Sequence, residues 1–366
     1  MPGKTRAHEG LGPVTSPSHL EQLLFDAGLV VQVPLATIYD IKARTSIQRS
    51  WQYPEGYVPR LDVQNPAHWS HKLHACVRGE FFAHALGGCR RVLDAGCGEG
   101  WPSLYLARSI PHVVGLDLSP EHIALARNTA KLMGLASVRF EVGHIEALPF
   151  PDQSYDGVCF GGNVFTYQSD PRVMLRELCR VLASGGPFAF EQWPVDPATP
   201  PWEKILWFID AGAPILHYGA GSGLFSRAYL IHLRPDSGPG KRLAQMATRM
   251  SGELSAEQQR ACEEIMQQIE HGALDVVEKA LCSGEDRSLA AEEFPSLLRD
   301  AGFAEVTSWA LPDALTFARA LQQDGVLARL RAEDLLPCLR ALVASAAKCP
   351  GWANHWVTCR KSWSRP

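Results

Sequence analysis

A short apolar segment that runs into a glycine-rich loop is the feature that most constrains the fold of this chain. Residues 92–95 predict a buried strand, and Gly96, Gly98 and Gly100 follow it before a helix predicted over 103–108. Glycine lets the backbone N–H groups of such a loop come close to a ligand. The arrangement therefore predicts a cofactor site at the end of the strand.

The glycine spacing excludes a dinucleotide fingerprint. Counted from Gly96, the pattern G-x-G-x-x-G requires its third glycine at position 101, where this chain has Trp101. The motif is D-x-G-x-G-x-G instead, with Asp94 two residues before the first glycine. A second apolar segment ends at Asp117, and a carboxylate there can accept hydrogen bonds from both hydroxyls of a ribose.

Strands and helices alternate after the glycine loop. Strands are predicted over 138–142, 156–160 and 187–190, and helices are predicted to begin at the N-caps Ser119 and Asp170. This alternation predicts an α/β fold with a parallel sheet covered by helices on both faces.

Four stretches then identify a family. In chain order they are LDAGCGEG, VVGLDLSPEHIALAR, FEVGHIEALPFPDQSYDGVCF and LRELCRVLASGGPFAF. On these stretches the chain from Val92 to about Trp193 resembles class I S-adenosylmethionine (SAM) dependent methyltransferases, in particular the small-molecule group that contains the ubiquinone and menaquinone methylating enzymes. The resemblance implies SAM as cofactor. It also implies a Rossmann-like, seven-stranded, mostly parallel sheet, with a helical N-terminal lid and a helical cap insertion.

The resemblance assigns roles to residues at the strand ends. The residues placed against the cofactor are Asp94, Gly96, Cys97, Gly98, Gly100, Asp117, Leu118, His144 and Ile145. The glycines would flank the methionine part of SAM, and Asp94 would orient their loop. Asp117 would hold the ribose and Leu118 would lie against the adenine. His144 and Ile145 would meet the edge of the adenine.

At one of these positions the chain departs from the family. The usual residue at position 144 is an aspartate that accepts a hydrogen bond from the adenine amino group, whereas this chain has His144 in the run GHIEALPF. A neutral imidazole can still accept through one nitrogen. Glu146 is an alternative acceptor, and a solvent-facing loop histidine is the other interpretation of His144.

The rest of the chain is divided by pattern. The predicted parts are a disordered tail (1–20), a helical lid (21–91), the SAM-binding core (92–193), a helical cap on the acceptor side (194–290) and a C-terminal completion of the sheet (291–366) with a helical insertion (312–349). Within the cap, helices are predicted over 201–209, 241–250 and 255–280, with no strand, and 219–223 is predicted to be a flexible loop. The strand predicted over 355–360 would run antiparallel at the sheet edge.

Aromatic residues of the cap favour a flat or apolar acceptor. They are Trp193, Trp202, Trp207, Phe208, Tyr218, Phe225 and Tyr229. Packing inside the cap is the alternative explanation.

The predicted activity is in-line methyl transfer to a small, aromatic or apolar metabolite, with O-, N- and C-methylation all open. An oxygen acceptor would need a base, for which Tyr167, Glu191 and His217 are candidates. The sequence selects none of them, so the catalytic residue is unknown. A SAM-binding protein without methyl transfer, or one with non-methyl SAM chemistry, is the alternative function.

Composition and charge bear on partners and compartment. A formal net charge of -4 argues against nucleic acid, and no apolar run approaches the ~20 residues that span a bilayer. No apolar segment follows Lys4 and Arg6, so the cytoplasm is expected. The amphipathic helices of the 312–349 insertion suit a homodimer interface as well as a core.

Cysteine and histidine patterns predict no metal site. The 10 cysteines are scattered singly, without a C-x-x-C pair, and are expected to be reduced. His68, His71 and His74 step around their predicted helix and are expected to be solvated. Cys97, in the glycine loop, is expected to react with alkylating agents because it faces the cofactor.

Overall fold

The structure is a computed structural model of the chain. It describes residues 18–44, 66–162, 164–167, 170–192, 195–210, 213–247, 256–311, 332–350 and 356–363. These residues form two compact units. The core unit comprises the described residues of 66–192 and 289–363, and the second unit comprises those of 18–44 and 195–288.

Helices and strands are numbered here in chain order. The helices are α1 (His19–Asp26), α2 (Leu35–Arg44), α3 (Pro66–Ala85), α4 (Ser103–Leu106), α5 (Pro120–Leu132), α6 (Pro171–Val181), α7 (Gly238–Ala247), α8 (Ala256–Glu270), α9 (Phe294–Asp300) and α10 (Ala332–Ala344). The strands are β1 (Val30–Gln32), β2 (Arg91–Ala95), β3 (His112–Asp117), β4 (Val138–Val142), β5 (Gly157–Phe160), β6 (Pro187–Glu191), β7 (Trp202–Asp210), β8 (Ala213–Ser222), β9 (Phe225–Leu233), β10 (Val277–Arg287), β11 (Phe303–Ala310), β12 (Ala347–Pro350) and β13 (Trp356–Lys361).

The core unit is built on a mostly parallel sheet with the strand order β12-β11-β13-β6-β5-β2-β3-β4. The pairs β2–β3, β3–β4, β2–β5 and β5–β6 are parallel, and β13 is antiparallel to both β6 and β11. After β2 the chain first builds β3 and β4 on one side and then β5 and β6 on the other. Ligands of open α/β sheets bind at such a reversal, beside the carboxyl ends of the strands.

Helices cover both faces of this sheet. Side chains alternate along β2, so that Val92 belongs to one apolar core and Leu93 to the other. The first core contains residues of α3, α4, α5 and α10, and the second contains residues of α6 and α9. The predicted α/β class is therefore confirmed.

Two details of the predicted sheet are wrong. β13 lies between β6 and β11 instead of at the edge, where Trp356 and Val357 are buried. The edge strand on this side of the sheet is β12, which lies in the segment 312–349 that was predicted to be helical. In the same segment α10 is helical as predicted, and residues 312–331 lie outside the described chain.

The second unit contains a five-stranded sheet with the order β1-β10-β9-β8-β7. Its strands pair antiparallel except for β1 and β10, which are parallel. One face packs on α1, α7 and α8, where Leu24, Ile265 and Leu243 are buried. On the opposite face Ile38 and Ile41 of α2 pack against Ile215.

The helical cap predicted over 194–290 is therefore wrong. The segment 201–209 is strand β7, and 255–280 contains helix α8 followed by the start of β10. Short apolar runs fit both helix and strand, and pairing with distant strands decides between them. The predicted loop over 219–223 is mostly strand: Gly219 and Gly221 belong to β8, and a Cβ at Gly221 would come within 2.7 Å of the Trp202 ring.

The predicted N-terminal lid also divides differently. α1, β1 and α2 belong to the second unit, whereas α3 belongs to the core unit. Ser18 caps α1 and Leu20 is buried, so these two residues are not part of a disordered tail. Residues 1–17 and 45–65 lie outside the described chain.

Candidate functional site

The glycine loop after β2 presents an open backbone surface. Gly96, Gly98 and Gly100 have φ values of 78°, 53° and 105°, which favour glycine over any other residue. A Cβ at Gly98 would meet no atom within 4 Å, so the loop faces open space there. At Gly96 and Gly100 a Cβ would press on Val164 and Leu104 at 3.1 and 3.0 Å. The ligand-accessible part of the loop is therefore centred on Gly98.

Asp94 connects the glycine loop to the helix that follows it. Its Oδ2 accepts hydrogen bonds from the backbone N–H of Ser103 at 3.0 Å and from the Ser103 hydroxyl at 2.5 Å. The side chain is fully buried, and burial raises its pKa to about 7. Oδ1 finds no hydrogen-bond partner within the described part of the chain. Asp94 thus connects the end of β2 to the start of α4, which fits the predicted role of orienting the loop.

Asp117 lies at the end of β3, beside the glycine loop. Its Oδ2 accepts from the N–H of Gly98 at 2.8 Å, and its Oδ1 accepts from the N–H of Ser119 at 2.9 Å. His122 Nδ1 is 3.7 Å from Oδ1. Each carboxylate oxygen can accept a second hydrogen bond. The residues present therefore fit a ribose diol at this strand end.

The side chains of Cys97, Leu118 and Ile145, three other predicted site residues, differ in their exposure. The Cys97 side chain is buried, with Sγ 2.9 Å from the position of a Cβ on Gly115, and burial raises the pKa of its thiol. The expectation that Cys97 faces the cofactor and reacts with alkylating agents is therefore wrong. Leu118 is partly exposed next to Asp117, whereas the Ile145 side chain is in the apolar core.

His144 lies at the end of the neighbouring strand β4. Gly143 donates its N–H to the backbone carbonyl of Asp117 at 2.9 Å, which holds the two strand ends together. The His144 side chain is exposed, and its Nδ1 accepts a hydrogen bond from the Glu146 N–H at 3.2 Å. The imidazole therefore closes a turn directly beside Asp117.

An ion pair that was not expected from the sequence lies at the carboxyl end of β6. Arg78 of α3 lies with its Nε 2.6 Å from Oε2 of Glu191, the buried last residue of β6. The same oxygen accepts from the N–H of Gly162 at 3.3 Å. The sequence did contain a signal for this pair. Arg78 is a basic residue beside the apolar face of the helix before the glycine loop, and a charge next to an apolar face usually has a partner.

The three candidate bases are not brought together as a catalytic group. Glu191 is engaged by Arg78 and Gly162. His217 belongs to the second unit, where burial lowers its pKa to about 3 and leaves it a weak base. The Tyr167 side chain lies outside the described chain. The catalytic residue stays unknown.

The described aromatic residues of the second unit differ in how exposed their side chains are. Tyr218 and Tyr229 are buried and stack at 6.1 Å between ring centroids, as the core-packing alternative predicts. Trp202 is 41% exposed on the glycines of β8. Trp193 and the side chains of Trp207 and Phe208 lie outside the described residues.

Other features bear on metals, disulfides and membranes. All ten cysteines are free. Within the described residues no group of three or more His, Cys, Asp or Glu side chains could hold a metal ion, and the side chains of His68, His71 and His74 are not among them. No described helix has both the length and the apolar character needed to cross a membrane.

Known proteins resemble the core unit. Residues 92–186 match the family described as "Methyltransferase domain". Malonyl-[acyl-carrier protein] O-methyltransferase of Erwinia billingiae is 39% identical over 109 residues, which cover 29% of this chain and 40% of that protein. Demethylmenaquinone methyltransferase of Thermus thermophilus is 40% identical over 112 residues, covering 30% and 49%. The chain thus spans less than half the length of these curated relatives.

A solved structure is similar over a longer stretch but more distantly. The CcbJ methyltransferase of Streptomyces caelestis is 15% identical with a TM-score of 0.47, and the match covers 90% of this chain and 97% of that one.

The family match, the strand order and the residues at the strand ends agree. The match begins at the first residue of the buried β2 segment and contains both the glycine loop and Asp117. The open surface at Gly98 and the acceptor positions on Asp117 fit the cofactor of that family. Residues 92–186 of the core unit are a class I SAM-dependent methyltransferase domain, with SAM as its cofactor.

Proposed function

We propose that the chain transfers a methyl group from SAM to a small-molecule acceptor. The observation that carries the proposal is the pairing of an open glycine loop with a carboxylate at the adjacent strand end, joined by the Gly98–Asp117 hydrogen bond of 2.8 Å. This geometry occurs in a domain whose relatives are named methyltransferases.

Different residues at the strand ends bind different parts of the cofactor in this proposal. Gly96, Gly98 and Gly100, with the backbone of Cys97, flank the methionine part, and Asp117 accepts from the ribose hydroxyls. Leu118 lies against the adenine, with the Ile145 backbone and His144 at its edge. Bound SAM supplies a methyl group activated by its sulfonium.

The protein mainly has to align the acceptor with that methyl group and exclude water. Holding two reactants in line can contribute about 7–11 kcal/mol to the lowering of the barrier. The ion pair between the partly exposed Arg78 and the buried Glu191 places two charged side chains at this end of β6. An oxygen acceptor needs a base as well, whereas an amine that is already neutral does not.

The second unit is proposed to select the acceptor. In chain order, the segment that contains β7–β10 follows β6, the last parallel strand of the core unit. A small aromatic or apolar metabolite is the proposed acceptor class; the partly exposed Trp202 and a demethylmenaquinone methyltransferase among the relatives support it. The methylated atom stays open. The homodimer, the lack of a nucleic-acid partner and the cytoplasmic location stay predictions.

Calorimetric titration with S-adenosylhomocysteine tests the cofactor site. We expect micromolar binding to the wild type and at least about 100-fold weaker binding to Asp117→Ala, because two hydrogen bonds to a charged group are lost. Asp300→Ala, which removes an exposed aspartate at the end of α9, is the matched control and should bind like the wild type.

Labelled methyl transfer separates an enzyme from a binding protein. The wild type and Asp117→Ala are incubated with methyl-labelled SAM and a small-molecule extract, and labelled products are sought by mass spectrometry. Label that appears only with the wild type supports the proposal. Tight binding without any labelled product would favour the SAM-binding alternative, and no binding to the wild type would overturn the proposed function.

A further inference from the structure

A cavity of about 530 Å³ lies in the core unit, apart from the residues of the cofactor site. Its described walls come from α3, α4 and α10 and from the residues that directly follow α3 and α4. Two of the lining residues, Gly87 and Ser109, precede β2 and β3. The cavity therefore extends toward the amino ends of these parallel strands, whereas the glycine loop and Asp117 are at their carboxyl ends.

A buried carboxylate, that of Glu80, forms part of the cavity wall. The Glu80 side chain is 3% exposed and accepts a hydrogen bond from the Tyr105 hydroxyl. It also accepts from Nε and Nη2 of Arg340 at 3.1 and 3.2 Å. A Cβ on Gly79 would lie 2.5 Å from the Tyr105 ring, so this ring packs directly on the backbone of α3. Glu80 and Tyr105 thus form a rigid base for the exposed residues around them.

Two guanidinium groups border the cavity above this base. The Arg340 side chain is 69% exposed although two of its nitrogens bind Glu80, and its Nη1 makes no hydrogen bond within the described residues. The second group belongs to Arg108, which is exposed and has its guanidinium carbon 5.9 Å from the Tyr105 ring centroid. The carboxylate and guanidinium groups on the described walls are those of Glu80, Arg108 and Arg340, so these walls carry a net positive charge.

We propose that this cavity binds a small metabolite through an anionic oxygen group, a phosphate or a carboxylate. A guanidinium presents a planar set of N–H donors that matches either group. Orienting such a donor before the ligand arrives lowers the entropic cost of binding, and the contact with buried Glu80 orients Arg340 in this way. The volume suits a metabolite and not merely an ion, since small-molecule sites measure about 300–1,000 Å³. This ligand is distinct from SAM, so the proposal goes beyond the proposed function.

Modification of arginine by phenylglyoxal locates the bound anion on the wild-type protein. The full chain is treated in chloride buffer and, at the same ionic strength, in inorganic phosphate or in citrate, and each modified arginine is quantified by peptide mass spectrometry. At least one of the two anions should slow the modification of Arg108 and Arg340 about fivefold or more, because a bound anion covers their N–H donors. Arg172 of α6, which is 62% exposed, is the matched control and should react at an unchanged rate.

Calorimetric titration with the protecting anion measures the contribution of each guanidinium. Arg108→Gln removes one of them and keeps the contact between Glu80 and Arg340. Arg340→Lys keeps a cation beside Glu80 but loses the planar set of donors. Each substitution should weaken anion binding at least about tenfold, whereas Arg172→Gln should bind within about twofold of the wild type. The affinity of the wild type for S-adenosylhomocysteine should change less than about twofold when the anion is present, because the two ligands occupy different sites.

The contradicting results are distinct from one another. Arg108 and Arg340 that neither anion protects would overturn the proposal, and so would equal protection of Arg172, which would indicate screening by salt alone. Unchanged anion affinity of Arg108→Gln would overturn it as well. Competition between the anion and S-adenosylhomocysteine would place the anion at the glycine loop instead of in the cavity. Protection by phosphate alone or by citrate alone supports the proposal and identifies the anionic group.

The protection experiment does not depend on the cofactor. A wild type that fails to bind S-adenosylhomocysteine would remove the proposed function, whereas protection of Arg108 and Arg340 would still support the anion site.

Discussion

The two units of this protein each bury a carboxylate but give it different partners. In the second unit, Glu21 accepts from the Tyr229 hydroxyl at 2.9 Å and from the Arg227 guanidinium at 3.3 Å. In the core unit, Asp94 accepts only from the neutral N–H and hydroxyl of Ser103 among the hydrogen bonds of the described chain. Glu21 is in direct contact with a cation, whereas the described hydrogen bonds of Asp94 include none from a cation, and the attraction of Arg78 acts on Asp94 only as a minor influence.

The difference shows what each unit requires of a buried acid. Arg227 also bonds Glu285 at 2.7 Å, so one guanidinium joins α1, β9 and β10. Removing one member of a buried ion pair leaves the other unbalanced and is strongly destabilising. Asp94 lies next to the glycine loop, and its partly unsatisfied carboxyl is retained at the expense of stability, as is common at functional sites. Glu21 should therefore govern the stability of the second unit, and Asp94 should govern a pH dependence of the core unit.

The largest effect is expected for Glu21→Ala. The substitution removes acceptors from Arg227 and Tyr229 and should lower the free energy of unfolding of the second unit by about 3–5 kcal/mol. Hydrogen exchange of β8 and β9 peptides measures this loss directly. Affinity for S-adenosylhomocysteine should stay within about twofold of the wild type, if the division between the units holds.

Glu21→Gln is the matched control. Glutamine keeps an oxygen for the Tyr229 hydroxyl but lacks the charge. The free energy of unfolding of Glu21→Gln should therefore lie between those of the wild type and Glu21→Ala. Unchanged exchange in both variants would mean that the Glu21–Arg227 pair does not stabilise the second unit.

A pH-dependent effect is expected for Asp94→Asn. Burial raises the pKa of Asp94 to about 7, above the ordinary value of 3.8. The group is therefore neutral in the folded protein below pH 4, and its favourable contribution is lost as pH rises through 7. Relative to the wild type, Asp94→Asn should gain up to about 4 kcal/mol in unfolding free energy between pH 4 and pH 8.

Urea unfolding at a series of pH values measures this difference. Asparagine still accepts from the Ser103 N–H and hydroxyl, so the local structure is preserved. Asp286 of the second unit also has a pKa raised to about 7 by burial, and because it is present in both proteins its contribution cancels. Parallel stability curves would show that Asp94 does not carry the raised pKa.

The core unit was predictable because its signals are local. The glycine loop and Asp117 lie close together in sequence, and the helices between strands have clear N-caps such as Ser119. Parallel strands joined by helices bring their carboxyl ends to one edge, so the site follows from the order of the elements. What could not be predicted there is the direction of single side chains: Cys97 points into the core, and Arg78 reaches Glu191 from a distant helix.

The second unit was not predictable because its pairings are distant in sequence. Val30 of β1 pairs with Ala280 of β10, and no periodicity in either segment indicates the other. β7 carries apolar residues at spacings that fit a helix, and only its pairing with β8 makes it a strand. The buried state of Tyr218 follows in the same way from its bonds to Ser18 and Glu203, which lie in other elements.

The smallest effect is expected for a matched pair of glycines, one in each unit. Gly98 and Gly28 have φ values of 53° and 67°, and a Cβ at either would meet no atom within 4 Å. Substitution by alanine should therefore cost each unit about the same stability, 1–2 kcal/mol, because an alanine side chain is strained in the left-handed region. Only Gly98→Ala should also weaken S-adenosylhomocysteine binding, by about tenfold, because its methyl group would occupy the open surface of the loop. Paired denaturation and calorimetry measure both quantities. Equal binding by the two variants would mean that the open space at Gly98 is not a cofactor surface, and the contrast between the units would then rest on the carboxylates alone.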